Sequence, residues 1–238
     1  MSDAQDPRTK EAQCGRCPFP NAERYCREEK GKGPSNCPSL RQRKLAESAR
    51  CDTPPEELEF ARQAAIQESS GYVNRDKGHA YIAPAKTRIV EIVEFAKRMQ
   101  YRKIGLIFCG GAMREGGIVH EILETNGFSV VSVMCKAGKM PKSAFGVIQE
   151  HYVDTTREVE TACNPKFQAS VVNEADVDFT VLLNLCVGHD SLAIKHLVSP
   201  VTVLAVKDRV TGHNPLAPIY MYDSYYRFLK KPLPFDEE

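Results

Sequence analysis

The sequence predicts an α/β fold, a Rossmann-like parallel sheet with helices on both faces, preceded by a small cysteine-rich metal-binding module. Three observations carry that reading. From Arg102 onward short apolar runs alternate with helical stretches, the pattern of right-handed crossovers in a parallel sheet. Three of the four runs end on cysteine. Ahead of them, residues 1–55 are rich in Pro, Gly and charge, lack helical or strand periodicity and hold five of the nine cysteines. The boundaries that follow are 1–55 for the module and 56–238 for the α/β domain.

The elements read in order as follows. "TPPEELEFARQAAIQESSGY" opens as a helix, with Thr53 as N-cap, prolines in the first turn and acids behind them. Leu58, Phe60, Ala61 and Ala65 would face a partner element. A helix over 84–100 carries Ile89, Ile92, Val93, Ala96 and Met99 at i, i+3, i+4 spacing, a stripe that belongs against a sheet. "KIGLIFC" is then a strand, "GGIVHEILETNG" a helix closed by Gly127, and "FSVVSVMC" a second strand. After a lysine-rich loop and a less regular segment come helix "NPKFQASVVNEAD", strand "FTVLLNLC", helix "SLAIKHLV" and strand "PVTVLAVKD", which Pro200 opens. The chain shows no internal repeat and no low-complexity segment.

Composition narrows the class. A formal charge of +1 leaves no overall field for nucleic acid or an anionic membrane, although the first 50 residues carry 11 basic against 7 acidic groups. "MSDAQDPRTKEAQ" lacks the apolar region of a secretory signal, and no stretch has the length to cross a bilayer. The expected location is therefore the cytoplasm. An odd total of nine cysteines there points to metal or redox chemistry rather than a disulfide framework.

Ligands of open α/β sheets bind outside the carboxyl ends of the strands. Cys109, Cys135 and Cys186 each end a predicted strand, so neighbouring strands would set their thiols along one crevice. Cys163 joins them from a predicted helix N-terminus, where the dipole favours a thiolate. Each alone reads as a small buried hydrophobe; the repetition points to a shared metal site. Such wide ligand separation suits an iron–sulfur cluster, 4Fe–4S in particular, at least as well as zinc. Gly110 and Gly111 let backbone N–H groups approach cluster sulfurs or a phosphate. Lys207 and Arg209 are candidate contacts for thiolate charge or an anionic substrate, and His189 a candidate proton donor. Asp190 is expected to cap the next helix, and the loop with His213 and Asn214 to cover the crevice. No P-loop, G-x-S-x-G or H-E-x-x-H is present.

The N-terminal cysteines, Cys14, Cys17, Cys26 and Cys37, follow C-x2-C-x8-C-x10-C. The first pair turns two thiolates toward one ion, and the other two complete a four-thiolate site that takes zinc or iron–sulfur. Cys51 is an alternative ligand. Glu23, Glu28 and Glu29 dilute the basic patch and only Tyr25 offers a free stacking ring, so nucleic acid is a minor reading.

"FAKRMQYRKIGLIFCGG", "SVVSVMCKAG", "CNPKFQA", "LLNLCVGHDSLAIKH" and "VTVLAVKDRVTGHNPLAPIY" together resemble an uncharacterised family of bacterial and archaeal, cysteine-rich proteins described as metal-binding. The resemblance covers most of the chain and implies that Cys14, Cys17, Cys26 and Cys37, and separately Cys109, Cys135, Cys163 and Cys186, occupy the family's characteristic cysteine positions. It implies neither a particular metal nor a reaction. "CGGAMREGG" departs from the family's form and leaves the helix start after Cys109 open. The leading expectation is a cytoplasmic iron–sulfur protein with redox or sulfur-related chemistry on a small molecule and a redox partner. The alternatives are a zinc-stapled, non-catalytic binding or regulatory protein holding a small anionic ligand or nucleotide, and thiol redox chemistry without metal.

Overall fold

A computed structural model describes residues 11–233 of the 238. The leader reading above falls largely on residues 1–10, outside the described set. The described chain forms two compact units that divide between Arg62 and Gln63, and no helix among the described residues is long and apolar enough to cross a membrane.

The first unit holds 3-10 turns at Cys14–Arg16 and Asn21–Glu23, then α1 (Pro38–Arg41) and α2 (Arg43–Cys51), none with a buried residue. Arg24 and Lys32 form an isolated bridge, closed by Tyr25 N–H to Lys32 O at 2.9 Å and Lys32 N–H to Glu23 O at 2.7 Å. The two helices correct the expectation of a segment without helix. "RKLAESARC" is built of good helix formers but is short and polar on average, and the one large apolar side chain in it, Leu45, stays 64% exposed. Helix α3 (Pro55–Ser70) runs across the division. Its Leu58, Ala61 and Ala65 are exposed rather than packed, and Phe60 is half-buried. The Thr53 hydroxyl donates back to the Ala49 carbonyl of α2.

The second unit opens with a short antiparallel pair, β1 (Tyr72–Val73) and β2 (Ala83–Pro84). That pairing takes up Pro84, the first residue expected in the next helix, and α4 runs only over Arg88–Arg98. The α/β part follows: β3 (Lys103–Phe108), α5 (Met113–Thr125), β4 (Ser129–Met134), α6 (Pro165–Glu174), β5 (Phe179–Leu185), α7 (His189–His196), β6 (Val201–Val206) and α8 (Ala217–Tyr220). All four of these strands pair in parallel in the order β4-β3-β5-β6. The chain leaves β3 to one side and returns on the other, which makes the β3–β5 gap the topological switch point.

Alternation along β3 divides the core. Ile104, Leu106 and Phe108 pack with Ile92, Val93 and Ala96 of α4 and Val119 and Leu123 of α5. Ile107, with Leu182 and Leu185 of β5, packs with Val172 of α6 and Ala193 of α7. Helices therefore cover both faces, and each fully buried Leu or Ile contributes about 1.5–3 kcal/mol. Near the end of β5 the register slips at Asn184, whose φ is 54°. This bulge puts Leu185 on the same face as Leu182 and re-aims the chain just before Cys186.

Candidate functional site

Two cysteines extend the ladders of adjacent strands by one residue. Cys109 N–H donates to Leu183 O at 3.1 Å and Cys135 N–H to Phe108 O at 2.9 Å. Both side chains fall on the α6/α7 face, following Ile107 and Val133 by the two-residue pleat. The Cys135 carbonyl accepts the Asn164 N–H at 2.8 Å, which brings the preceding residue, Cys163, beside it. The Cys135 and Cys163 sulfurs stand 3.4 Å apart, in contact and well outside the roughly 2.05 Å of a disulfide. Asn164 caps α6 by accepting the Phe167 N–H, so Cys163 sits at a helix N-terminus as the sequence predicts. Cys186 enters from β5, and its carbonyl accepts the His189 and Asp190 N–H groups that start α7.

These four thiols line one crevice of about 920 Å³, together with Gly110, Gly111, His189 and Arg209. All are free. Gly110 N–H donates to Cys135 Sγ at 3.2 Å and Gly111 N–H to Cys109 Sγ at 3.4 Å. A Cβ at Gly111 would stand 2.9 Å from Lys207 Nζ, so only glycine leaves that ammonium its path to the Cys109 thiol. Lys207 itself is reached behind Gly111 and does not line the crevice. Arg209 donates to Cys186 Sγ at 3.1 Å.

The thiols are electrostatically unequal. The hydrogen bond with Cys135, with burial added, pushes Cys109 up to about 12, against the pull of Gly111 N–H and Lys207. Cys135 feels the Cys109 hydrogen bond most, which lowers it, but its bond to Cys163 and burial leave it raised. The hydrogen bond with Cys135, helped by the Lys136 charge, draws Cys163 down to about 7 despite burial. Of these three thiols Cys163 is thus the most acidic.

The N-terminal four also share a pocket. Cys14, Cys17, Cys26 and Cys37 line a cavity of about 70 Å³. The Cys14–Arg16 turn closes with Cys17 N–H to Cys14 O at 3.2 Å, Cys37 starts α1, and a Cβ on Gly33 would press to 3.0 Å from Cys37 Sγ. Cys51 ends α2, outside that lining. At neither place do three or more His, Cys, Asp or Glu side chains of the described residues stand at metal-holding geometry. The sulfurs share pockets without being gathered on one point.

Two expectations around the crevice are corrected. The N-cap of α7 is Gly188, with φ 84°, while Asp190 accepts the Ser191 N–H at 2.7 Å. His213 folds back on its own loop, with Nδ1 accepting from Asp208 N–H at 3.2 Å, and neither it nor Asn214 lines the crevice. The wall is made instead by the irregular segment between β4 and α6, through Met140, Phe145, Val147 and Val153. Gln168 was also missed. Fully buried on α6, its Nε2 donates to Phe108 O at 3.1 Å and Val133 O at 2.7 Å, fixing the two strand ends that carry Cys109 and Cys135. A polar residue on the apolar stripe of "PKFQASVV" was the available signal.

The family model described as "Protein of unknown function (DUF1847)" matches residues 37–204, a span that contains Cys37 and all four sheet-edge cysteines. "Uncharacterized protein MJ0455" of Methanocaldococcus jannaschii is 39% identical over 178 residues, covering 75% of this chain and 85% of that one. The agreement runs through the sheet and its carboxyl edge, and the chain belongs to the DUF1847 family.

Proposed function

We propose that the chain is a cytoplasmic thiolate metalloprotein with two sites of different purpose. Cys14, Cys17, Cys26 and Cys37 hold a single ion, zinc, that staples the first unit. Cys109, Cys135, Cys163 and Cys186 hold an iron–sulfur cluster at the switch-point crevice. When bound, such a cluster supplies electron-transfer or sulfur-related chemistry on a small molecule in the same crevice.

The observation that carries this reading is the run of thiols Cys109, Cys135 and Cys163, with the last pair 3.4 Å apart and two glycine N–H groups aimed at their sulfurs. The donor set suits the group in its chemistry, although the sulfurs as they stand are not gathered on one point. Four thiols come with N–H···S donors and with cations, Lys207 at Cys109 and Arg209 at Cys186, that offset thiolate charge. His189 lines the same crevice, placed to give a proton to a bound molecule. Zinc at the first site is favoured by the small cavity and by the absence of any buried residue in its turns and in α1 and α2, since a coreless module needs a metal to order it.

Anaerobic purification followed by iron, sulfide and zinc analysis tests the assignment. Iron and sulfide that disappear in Cys109→Ser and Cys186→Ser variants, with zinc and the α/β fold retained, are expected. A colourless protein with zinc alone eliminates the cluster.

A further inference from the structure

The segment between β4 and α6 is a built wall. Its two ends pair through the Pro141–Thr161 bridge, with Lys142 N–H to Glu160 O and Ala162 N–H to Met140 O, each 2.8 Å. Above that clasp it presents Met140, Phe145 and Val153 to the crevice at 41%, 55% and 89% exposure. Apolar side chains held exposed around a concave site are characteristic of ligand pockets. The same lining carries Lys136, next in sequence to Cys135, Lys166, three residues after Cys163, and Arg209, which donates to Cys186 Sγ. Glu160 is the only acid among the described residues lining the crevice. It is buried and engaged, with its carboxylate 3.1 Å from Lys142 Nζ and accepting the Asp154 N–H at 3.3 Å. Lys136 and Lys166 therefore face no acid free to pair with them in the lining, while Arg209 is partly engaged with Cys186.

We infer that the crevice binds a small amphipathic organic anion, its charged group held by Lys136, Lys166 and Arg209 and its apolar body laid against Met140, Phe145 and Val153. The inference rests on the reading of this crevice as the functional centre and names the class of molecule that reaches it. A free volume of about 920 Å³ suits a molecule of cofactor or metabolite size. The cations supply orientation and attraction, and the wall supplies burial.

The test uses the full chain and two probes that differ by one charge, 8-anilinonaphthalene-1-sulfonate and the uncharged N-phenyl-1-naphthylamine, each followed by fluorescence. Lys136→Gln with Lys166→Gln should weaken the sulfonate about tenfold and leave the neutral probe within about twofold. Phe145→Ala with Val153→Ser should weaken both, and Tyr225→Ser, far along the exposed C-terminal segment, neither. In the unaltered chain, raising salt to about 0.5 M should mimic the lysine loss for the sulfonate alone, which keeps the test intact if a variant fails to fold. Equal loss of both probes on lysine substitution, insensitivity to both crevice pairs, or a salt-independent sulfonate overturns the ligand class. Metal content measured on the same samples separates the two ideas: a metal-free chain with the expected probe pattern sinks the cluster and spares the anion site, and a metal-loaded chain with a flat pattern does the reverse.

Discussion

The two groups of four cysteines show two ways to assemble thiols. In the first unit the ligand candidates lie within one short stretch of sequence, on turns and a helix start, around a cavity of about 70 Å³ with exposed or half-buried sulfurs. At the sheet edge they are widely separated in sequence, and topology alone brings them to a crevice of about 920 Å³ where Cys109 and Cys135 are buried. The first arrangement has no buried residue in its turns or in α1 and α2. The second is held by backbone ladders, a buried glutamine and two packed helix faces. A site that depends on its metal for folding suits a staple, and a site that the fold pre-organises suits chemistry.

The largest effect that would sharpen this contrast comes from chelation. Removing metal from the full chain should abolish hydrogen-exchange protection across residues 14–41 while β3 to β6 keep theirs, because structural zinc contributes about 10–16 kcal/mol to comparable modules. Equal loss in both regions would erase the distinction. Next in size, Gln168→Leu removes both Nε2 bonds, although Phe108 O keeps the Cys135 N–H and the unpartnered Gln168 Oε1 goes too, and should destabilise the second unit by about 1 kcal/mol in denaturant unfolding, with loss of metal from the sheet-edge site alone. A variant as stable as the parent would show that the strand ends need no such clamp. Smallest, Gly111→Ala displaces the flexible end of Lys207, so its stability change should stay under about 1 kcal/mol. Its metal affinity at the sheet edge should nevertheless fall about tenfold through the lost partner of Cys109, read by competition with a chromophoric chelator. Unchanged affinity would remove Lys207 from the site.

Much of the fold was legible because its signals are local. The apolar runs read from Lys103, Phe128, Phe179 and Pro200 all contain strands, β3 and β5 almost fully buried and β4 and β6 largely half-buried, and the stripe Ile92, Val93, Ala96 is buried. The elements missed have no such pattern. Helix α2 is short and buries no residue, the first residue of the predicted 84–100 helix, Pro84, is paired with Tyr72, and the bulge at Asn184 depends on a backbone angle that the apolar run conceals. The crevice cysteines were found because strand ends in a parallel sheet are collinear, so a repeated residue type there becomes a spatial cluster. The wall from Met140 to Ala162 was not, because its fold is set by the Lys142–Glu160 ion pair and the Pro141–Thr161 bridge, contacts between positions with no periodic relation.

The central claim is that the thiols at the carboxyl edge of the sheet hold metal. Anomalous diffraction from anaerobically grown crystals, collected at the iron and zinc edges, addresses it directly. The account predicts a zinc peak among Cys14, Cys17, Cys26 and Cys37 and a separate iron peak among Cys109, Cys135, Cys163 and Cys186. A peak at the first position with only protein and solvent at the second would contradict it.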